Sequence, residues 1–273
     1  MIRKIIKALT PPIIFNLLHQ PIPIVNMSPW RGNYQSWAQA IDDSGGYNDE
    51  TILNRVKDAT LQVRHGQAVY ERDSVLFNKK QYSWGLLAAL QASAIQGGEL
   101  SILDFGGSLG STYYQNRDFL KSIKFIWHIV EQPHFVDAGK KHFKDDQLDF
   151  FYTVEESVKA DQPNVLLLSS VLQYLADPFQ WIDKMLALNI DNIIIDRTSF
   201  ISGDTARITV QTVPEEIYKA SYPCWFFHET AFLNTFTDRY DLIADFNSYA
   251  DSSRMSEDGE HMYWKGYFLK RKN

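Results

Sequence analysis

From Glu99 onward the apolar positions fall into short runs separated by stretches of helical period. The runs are Leu100–Phe105, Phe125–Val130, Leu148–Tyr152, Val165–Leu168 and Ile190–Ile195. Helical patterns lie between them at Tyr113–Ser122, Phe135–Phe143, Val154–Ala160 and Pro178–Leu188. Such alternation predicts a parallel sheet with helices on both faces, because a strand buried on two sides reads apolar throughout and each parallel crossover needs a helix. After the fifth run the rhythm shifts to a helix near Glu229–Phe236, a run at Leu242–Ser248, a polar turn over Ser252–Glu260 and a run at Met262–Leu269. Two runs joined by a turn should pair antiparallel at the sheet edge.

Residues 1–97 have another texture. Ser36–Asp42 reads as a short helix capped by Ser36, and Ile52, Val56, Ala59 and Val63 mark a helical stripe within Asp49–Val69. A third helical pattern, Gln81–Ile95, is stopped by Gly97-Gly98. The expectation is a helical cap on the acceptor side, without a strand of its own, ahead of a cofactor-binding domain over residues 98–273. Within the cap, Tyr70-Glu71-Arg72-Asp73-Ser74 forms a polar knot. It admits two readings, a network docking cap to sheet or a polar wall of an acceptor site.

Candidate chemistry is densest where the first run ends. Leu103-Asp104-Phe105 passes into Gly106, Gly107, Ser108, Gly110 and Ser111, the pattern of a strand stopping in a tight turn that opens a helix over a nucleotide-like ligand. The dinucleotide fingerprint G-x-G-x-x-G, started at Gly106, needs glycine at both Ser108 and Ser111 and fails twice. An acid-x-G-x-G-x-G pattern reads Asp104, Gly106, Ser108, Gly110 and departs only at Ser108, where serine is expected to avoid a positive φ. Glu131, followed by Gln132, ends the next strand, where an acid would accept hydrogen bonds from both hydroxyls of a ribose.

The segments LDFGGSLGSTYYQNR, IVEQPHFVDAGKKHF, LLLSSVLQYLADPFQWI and IIIDRTSF resemble a bacterial family of methyltransferases associated with surface-polysaccharide (O-antigen or capsule) gene clusters. Upstream, RGNYQSWAQAIDDSGGY and YERDSVLF extend the resemblance over nearly the whole chain. It implies a Rossmann-like class I sheet of five parallel strands closed by an antiparallel hairpin. It also implies S-adenosyl-L-methionine as cofactor and, for the acceptor, a sugar or glycan-linked molecule. No catalytic residue carries over from it.

Ser169, Ser170, Gln173 and Tyr174, after the fourth run, are expected to line the methyl-donor end of such a cofactor; Tyr174 reads equally as a core aromatic. His228 beside Glu229 is either a base polarised by a carboxylate or the first residue of a helix, whereas His128, in mid-strand, reads as core. Arg197 either holds an acidic acceptor bidentately or forms an ion pair with Asp196 or an acid of the cap. Net charge is −6, which argues against a nucleic-acid-binding face. The single cysteine, Cys224, excludes an intrachain disulfide and a cysteine-based zinc site, and fits a reducing cytoplasmic setting. No metal-ligand spacing stands out. Met1–Gln20 sets Arg3, Lys4 and Lys7 among Ile and Leu, with no cleavage site, and Pro11-Pro12 divides it. It reads either as a helix packed on its own domain or as a peripheral anchor at the inner membrane face. The second option leaves a rival to the enzyme: a non-catalytic, membrane-associated binding or scaffold protein on the same fold.

Overall fold

The computed structural model describes residues 28–46, 49–214, 217 and 220–272; the basic segment at residues 1–20 lies outside them. The first described elements are β1 (Trp30–Tyr34) and α1 (Trp37–Asp42), whose cap is Ser36, accepting from the Gln39 amide at 3.3 Å. In α2 (Asp49–Arg64) the expected stripe is present, with Val56, Ala59 and Val63 buried. The helix stops at Arg64 rather than near Val69, and Gly66 follows it at φ 72.

The expectation of a strandless cap is corrected by β1 and by a hairpin of β2 (Tyr70–Arg72) and β3 (Val75–Phe77). Asp73 and Ser74 form its two-residue turn, both at positive φ, which matches the strand twist. α3 (Trp84–Gly97) then runs between Ser83, which accepts from the Leu86 amide, and Gly98 in the left-handed conformation.

The alternating region follows as β4 (Glu99–Phe105), α4 (Ser111–Asn116), β5 (Lys124–Val130), α5 (Pro133–His142), β6 (Leu148–Phe151), α6 (Val154–Ala160), β7 (Val165–Ser169), α7 (Pro178–Leu186) and β8 (Asn192–Ile201). Next come β9 (Arg207–Thr212), β10 (Ser221–His228), α8 (Glu229–Asn234), β11 (Tyr240–Asn247), β12 (Arg254–Met255) and β13 (His261–Arg271). Five strands, β4 to β8, are parallel in the order β6-β5-β4-β7-β8, and β13 and β11 close the edge antiparallel. This is the Rossmann-like class I methyltransferase layout.

Side-chain alternation divides the core. Leu100 and Ile102 of β4, with Trp127 and Ile129 of β5, pack under α3 and α5. Leu103, Phe105 and Val130 face the other way, towards α7 and α8. Leu166, Leu167 and Leu168 of β7 are at most 1% exposed, each contributing about 1.5–3 kcal/mol of burial.

Two features go beyond the expectation. β8 runs on to Ile201, past the expected end at Ile195, and β10 pairs parallel with it only at Phe227 and His228. From that extension a second, antiparallel layer grows, β10-β9-β1, with Ala40 of α1 buried against Ile208 and Val210. The chain direction reverses its lateral progress between β4 and β7, and ligand crevices in open α/β sheets form at the carboxyl ends beside such a switch point. Among the described residues no helix is long and apolar enough to cross a membrane.

Candidate functional site

A cleft of about 1300 Å³ opens at this switch point, between the ends of β4, β5, β7 and β8 and the β1–β9–β10 layer. One-ligand pockets hold roughly 300–1,000 Å³, so the cleft has room for two ligands side by side.

The glycine turn forms its floor. Gly106 (φ 75) and Gly107 line it, and a Cβ on Gly106 would come within 2.4 Å of the Val171 side chain, so the loops after β4 and β7 approach closer than alanine allows. Asp104 is not part of the wall. It lies beneath the turn, 1% exposed, with Trp127 Nε1 donating to its Oδ2 at 2.9 Å. Burial pushes its pKa up to about 7 against that N–H. Its expected contact with cofactor is therefore corrected to support of the turn. Gly110 is corrected likewise: at φ 97 it starts α4 and faces Leu148, Ile129 and Tyr114 in the interior. Ser108 lines the cleft at φ 54, so the serine takes up the left-handed conformation it was expected to avoid, at a cost of about 1–2 kcal/mol.

The Glu131 carboxylate accepts from the Gln132 amide at 2.6 Å, and the Ser108 backbone stands near enough to favour its ionised form. Burial raises its pKa and these two backbone groups oppose the shift. Glu131 and Gln132 both line the cleft beside the turn. Ser111 lines it too, but its hydroxyl is taken by Glu71 Oε1.

Beyond β7 the remaining expected residues converge. Ser169, Ser170, Gln173 and Tyr174 all stand on the wall. Ser169 Oγ donates to Asp196 Oδ2 at 3.3 Å, and the Ser170 amide donates to the Asp196 carbonyl at 2.9 Å. Gln173 Nε2 reaches the Arg197 carbonyl at 3.0 Å. The Tyr174 hydroxyl donates to Gln211 Oε1 at 2.9 Å, tying the loop to β9, and its ring meets Tyr222 edge-on.

Arg197, 13% exposed in its side chain, pairs with Asp73 at 2.9 Å and with Asp251 at 3.2 Å. The acid-of-the-cap alternative is the one the geometry realises, and Asp73 and Asp251 already balance the guanidinium. In the polar knot, Glu71 docks the hairpin on the glycine turn through Ser111, the docking reading, while Tyr70, Arg72 and Asp73 line the cleft. His228 is not on the wall. Its Nδ1 accepts from the Ala231 amide at 3.3 Å as the cap of α8, and Glu229 is engaged by Tyr263, Lys265 and Tyr267 instead. β10 meets β8 only at its end, with His228 opposite Ile201 at the far end of the β8 extension, which sets it off the cleft; the expected base is corrected to a helix cap.

The chain pattern named Asp196 only as a partner for Arg197, and it missed Asp251 together with Trp30, Gln211 and Tyr222 of the second layer. Among the described residues no group of three or more His, Cys, Asp or Glu side chains is placed to hold a metal ion.

No family model matches the chain, and no curated protein matches it in sequence. Solved structures resemble it in shape. A Burkholderia thailandensis 1,6-didemethyltoxoflavin-N1-methyltransferase with bound S-adenosylhomocysteine is 14% identical over 82% of this chain and 90% of its own, with a TM-score of 0.39. The N-terminal domain of EvdMO1, solved with S-adenosylhomocysteine and D-fucose, is 11% identical over 84% and 98%, with a TM-score of 0.46. A methyltransferase from Clostridium acetobutylicum is 9% identical over 71% and 93%, with a TM-score of 0.43. These likenesses stay below a TM-score of 0.5, and the fold stands on its own strand order.

Proposed function

We propose that the chain is a cytoplasmic S-adenosylmethionine-dependent methyltransferase that O-methylates a sugar or glycan-linked acceptor, with residues 1–97 contributing to the acceptor side. The observation that carries the cofactor is the pairing of Glu131 with the glycine turn. A carboxylate at the end of β5, on the cleft wall beside Gly106, Gly107 and Ser108, is the acceptor that two ribose hydroxyls require. The site fits the group: Gly106 and Gly107 leave the floor free of Cβ atoms, and Glu131 and Gln132 stand beside it. When bound, S-adenosylmethionine supplies an activated methyl on a sulfonium sulfur, so the protein's task reduces to positioning, excluding water and moving a proton. The acceptor class rests on the family resemblance of the motifs. A Ser108 turn that filled the pocket would have favoured the scaffold alternative, and the cleft over the turn is open.

Calorimetry with S-adenosylmethionine and S-adenosylhomocysteine tests the reading. Both should bind; folded protein that gives neither heat nor a thermal shift with either would overturn it. A methyl-transfer screen over sugar nucleotides and lipid-linked glycans then identifies the acceptor.

A further inference from the structure

β8 departs from a regular ladder at one place. Against β13, Ile195 pairs with Tyr267 and Thr198 with Lys265, so Asp196 and Arg197 together oppose Gly266. Arg197 takes φ 53 at this point. Consecutive strand residues ordinarily point to opposite faces; an extra residue cancels that alternation, and both Asp196 and Arg197 stand on the cleft wall. The opposing position must be glycine, because a Cβ on Gly266 would lie 2.7 Å from the Ile195 carbonyl oxygen.

The bulge turns the Arg197 carbonyl towards Gln173, whose Nε2 donates to it at 3.0 Å and to Ser170 Oγ at 3.2 Å. The amide is thereby fixed. Gln173 is 1% exposed and lines the cleft, yet its Oε1 has no hydrogen-bond partner, a rare and costly state for a buried acceptor. Next to it Asp196, 2% exposed, receives only the Ser83 hydroxyl at 3.2 Å and the Ser169 hydroxyl at 3.3 Å on its carboxylate. An ionised carboxylate has about four acceptor sites, so capacity remains. Arg197 does not use it, since its guanidinium is held by Asp73 and Asp251. Two neighbouring acceptors, one of them a base, fit a ligand that brings hydroxyl protons.

We propose that Asp196, presented by the β8 bulge, takes the proton of the acceptor hydroxyl during methyl transfer, while Gln173 Oε1 holds a neighbouring hydroxyl of the same polyhydroxylated acceptor. This rests on the methyltransferase reading. As the acceptor oxygen bonds to the methyl carbon, the carbon–sulfur bond breaks, sulfur keeps that electron pair, and the hydroxyl proton passes to Asp196 and then to solvent. Asp196 suits the task. Burial raises its pKa to about 6, with Asp251 pushing it up and the Arg197 charge and two hydroxyls pulling it down. It is thus ionised at neutral pH yet more basic than an exposed carboxylate. Across the ladder, Lys265 of β13 is committed to Glu229 and Asp245.

The test uses the full chain. Asp196→Asn should bind S-adenosylhomocysteine within about twofold of wild type by calorimetry. Its kcat on the acceptor found in the screen should fall roughly 10²–10⁴-fold, and the acid limb of the pH–rate profile near pH 6 should vanish. Gln173→Leu should raise KM more than it lowers kcat. His228→Asn, which keeps a capping side chain outside the cleft, should match wild type. Independently of turnover, ¹³C NMR of carboxyl-labelled aspartate in wild-type protein should show a resonance, absent in Asp196→Asn, that titrates near pH 6. An Asp196→Asn enzyme within about threefold of wild type and with an unchanged pH profile overturns the assignment, as does a carboxyl signal that does not titrate between about pH 4.5 and 8. Failure of folded wild type to bind S-adenosylhomocysteine overturns the methyltransferase reading instead.

Discussion

A methyl group added at Gly107 would lie 2.6 Å from the Asp104 carboxylate, which is itself buried and fixed by Trp127. Asp104 cannot yield without straining its buried hydrogen bond from Trp127. Gly107→Ala should therefore destabilise the protein by about 1–3 kcal/mol, seen as a lower urea midpoint, and weaken S-adenosylhomocysteine binding. Ser108→Gly is the contrasting change. It relieves left-handed strain of about 1–2 kcal/mol while giving the unfolded chain more freedom, so stability and cofactor affinity should both stay close to wild type. Glu131→Ala should weaken cofactor binding while the thermal midpoint is nearly kept, because it also removes a carboxylate that burial disfavours. Unchanged affinity would remove the ribose assignment. That Glu131 stands on the cleft wall was readable in the chain, because an acid closing a buried parallel strand falls at the carboxyl edge of the sheet. Asp104 was misread for a reason periodicity does not reveal: the indole N–H that claims it comes from the neighbouring strand.

The β2–β3 hairpin acts on the site through one buried acid. Glu71 is 1% exposed; its Oε1 accepts from the Ser111 hydroxyl and its Oε2 from the Ser74 amide at 3.3 Å. Asp73 adds the contact to Arg197, but its side chain is 61% exposed, and such pairs are worth about 0–1 kcal/mol. Glu71→Ala leaves a void and unpaired donors and should cost about 2 kcal/mol, with faster hydrogen exchange over residues 70–77. Glu71→Gln keeps the shape without the buried charge and should stay within about 1 kcal/mol of wild type. Equal losses in the two variants would show that charge, not packing, docks the hairpin. At this scale the alternating core was legible, since β4 to β8 and their helices are long enough to show a period. The three-residue strands β2 and β3 are too short to alternate. β9 and β10 lie where the chain offers no crossover helix to frame them, and overlooking that layer is what put His228 at the lip of the cleft.

For the whole molecule, the site has been assembled by burying carboxylates, and this should be visible in its stability. Burial raises Glu71 and Asp104 to about 7 and Asp196 to about 6. Unfolded carboxyls titrate near pH 4, so between there and the folded values the native state binds more protons than the unfolded chain, and stability falls as pH rises. Other groups act in other windows. Burial lowers His128 and His142, which favours the native state less as pH drops below about 6.5. Asp118, held near 2 by Lys121 and Lys80, loses its contribution only below about pH 4. From about pH 8 down to 7 His128 and His142 are mostly neutral in both states and the raised carboxyls dominate. The thermal midpoint should therefore rise on acidification across that window, and Asp104→Asn should flatten the slope. A midpoint that is level or falls over the same interval would mean that these carboxyls titrate normally, and Asp196 would then lack the basicity that its place in the β8 bulge is proposed to exploit.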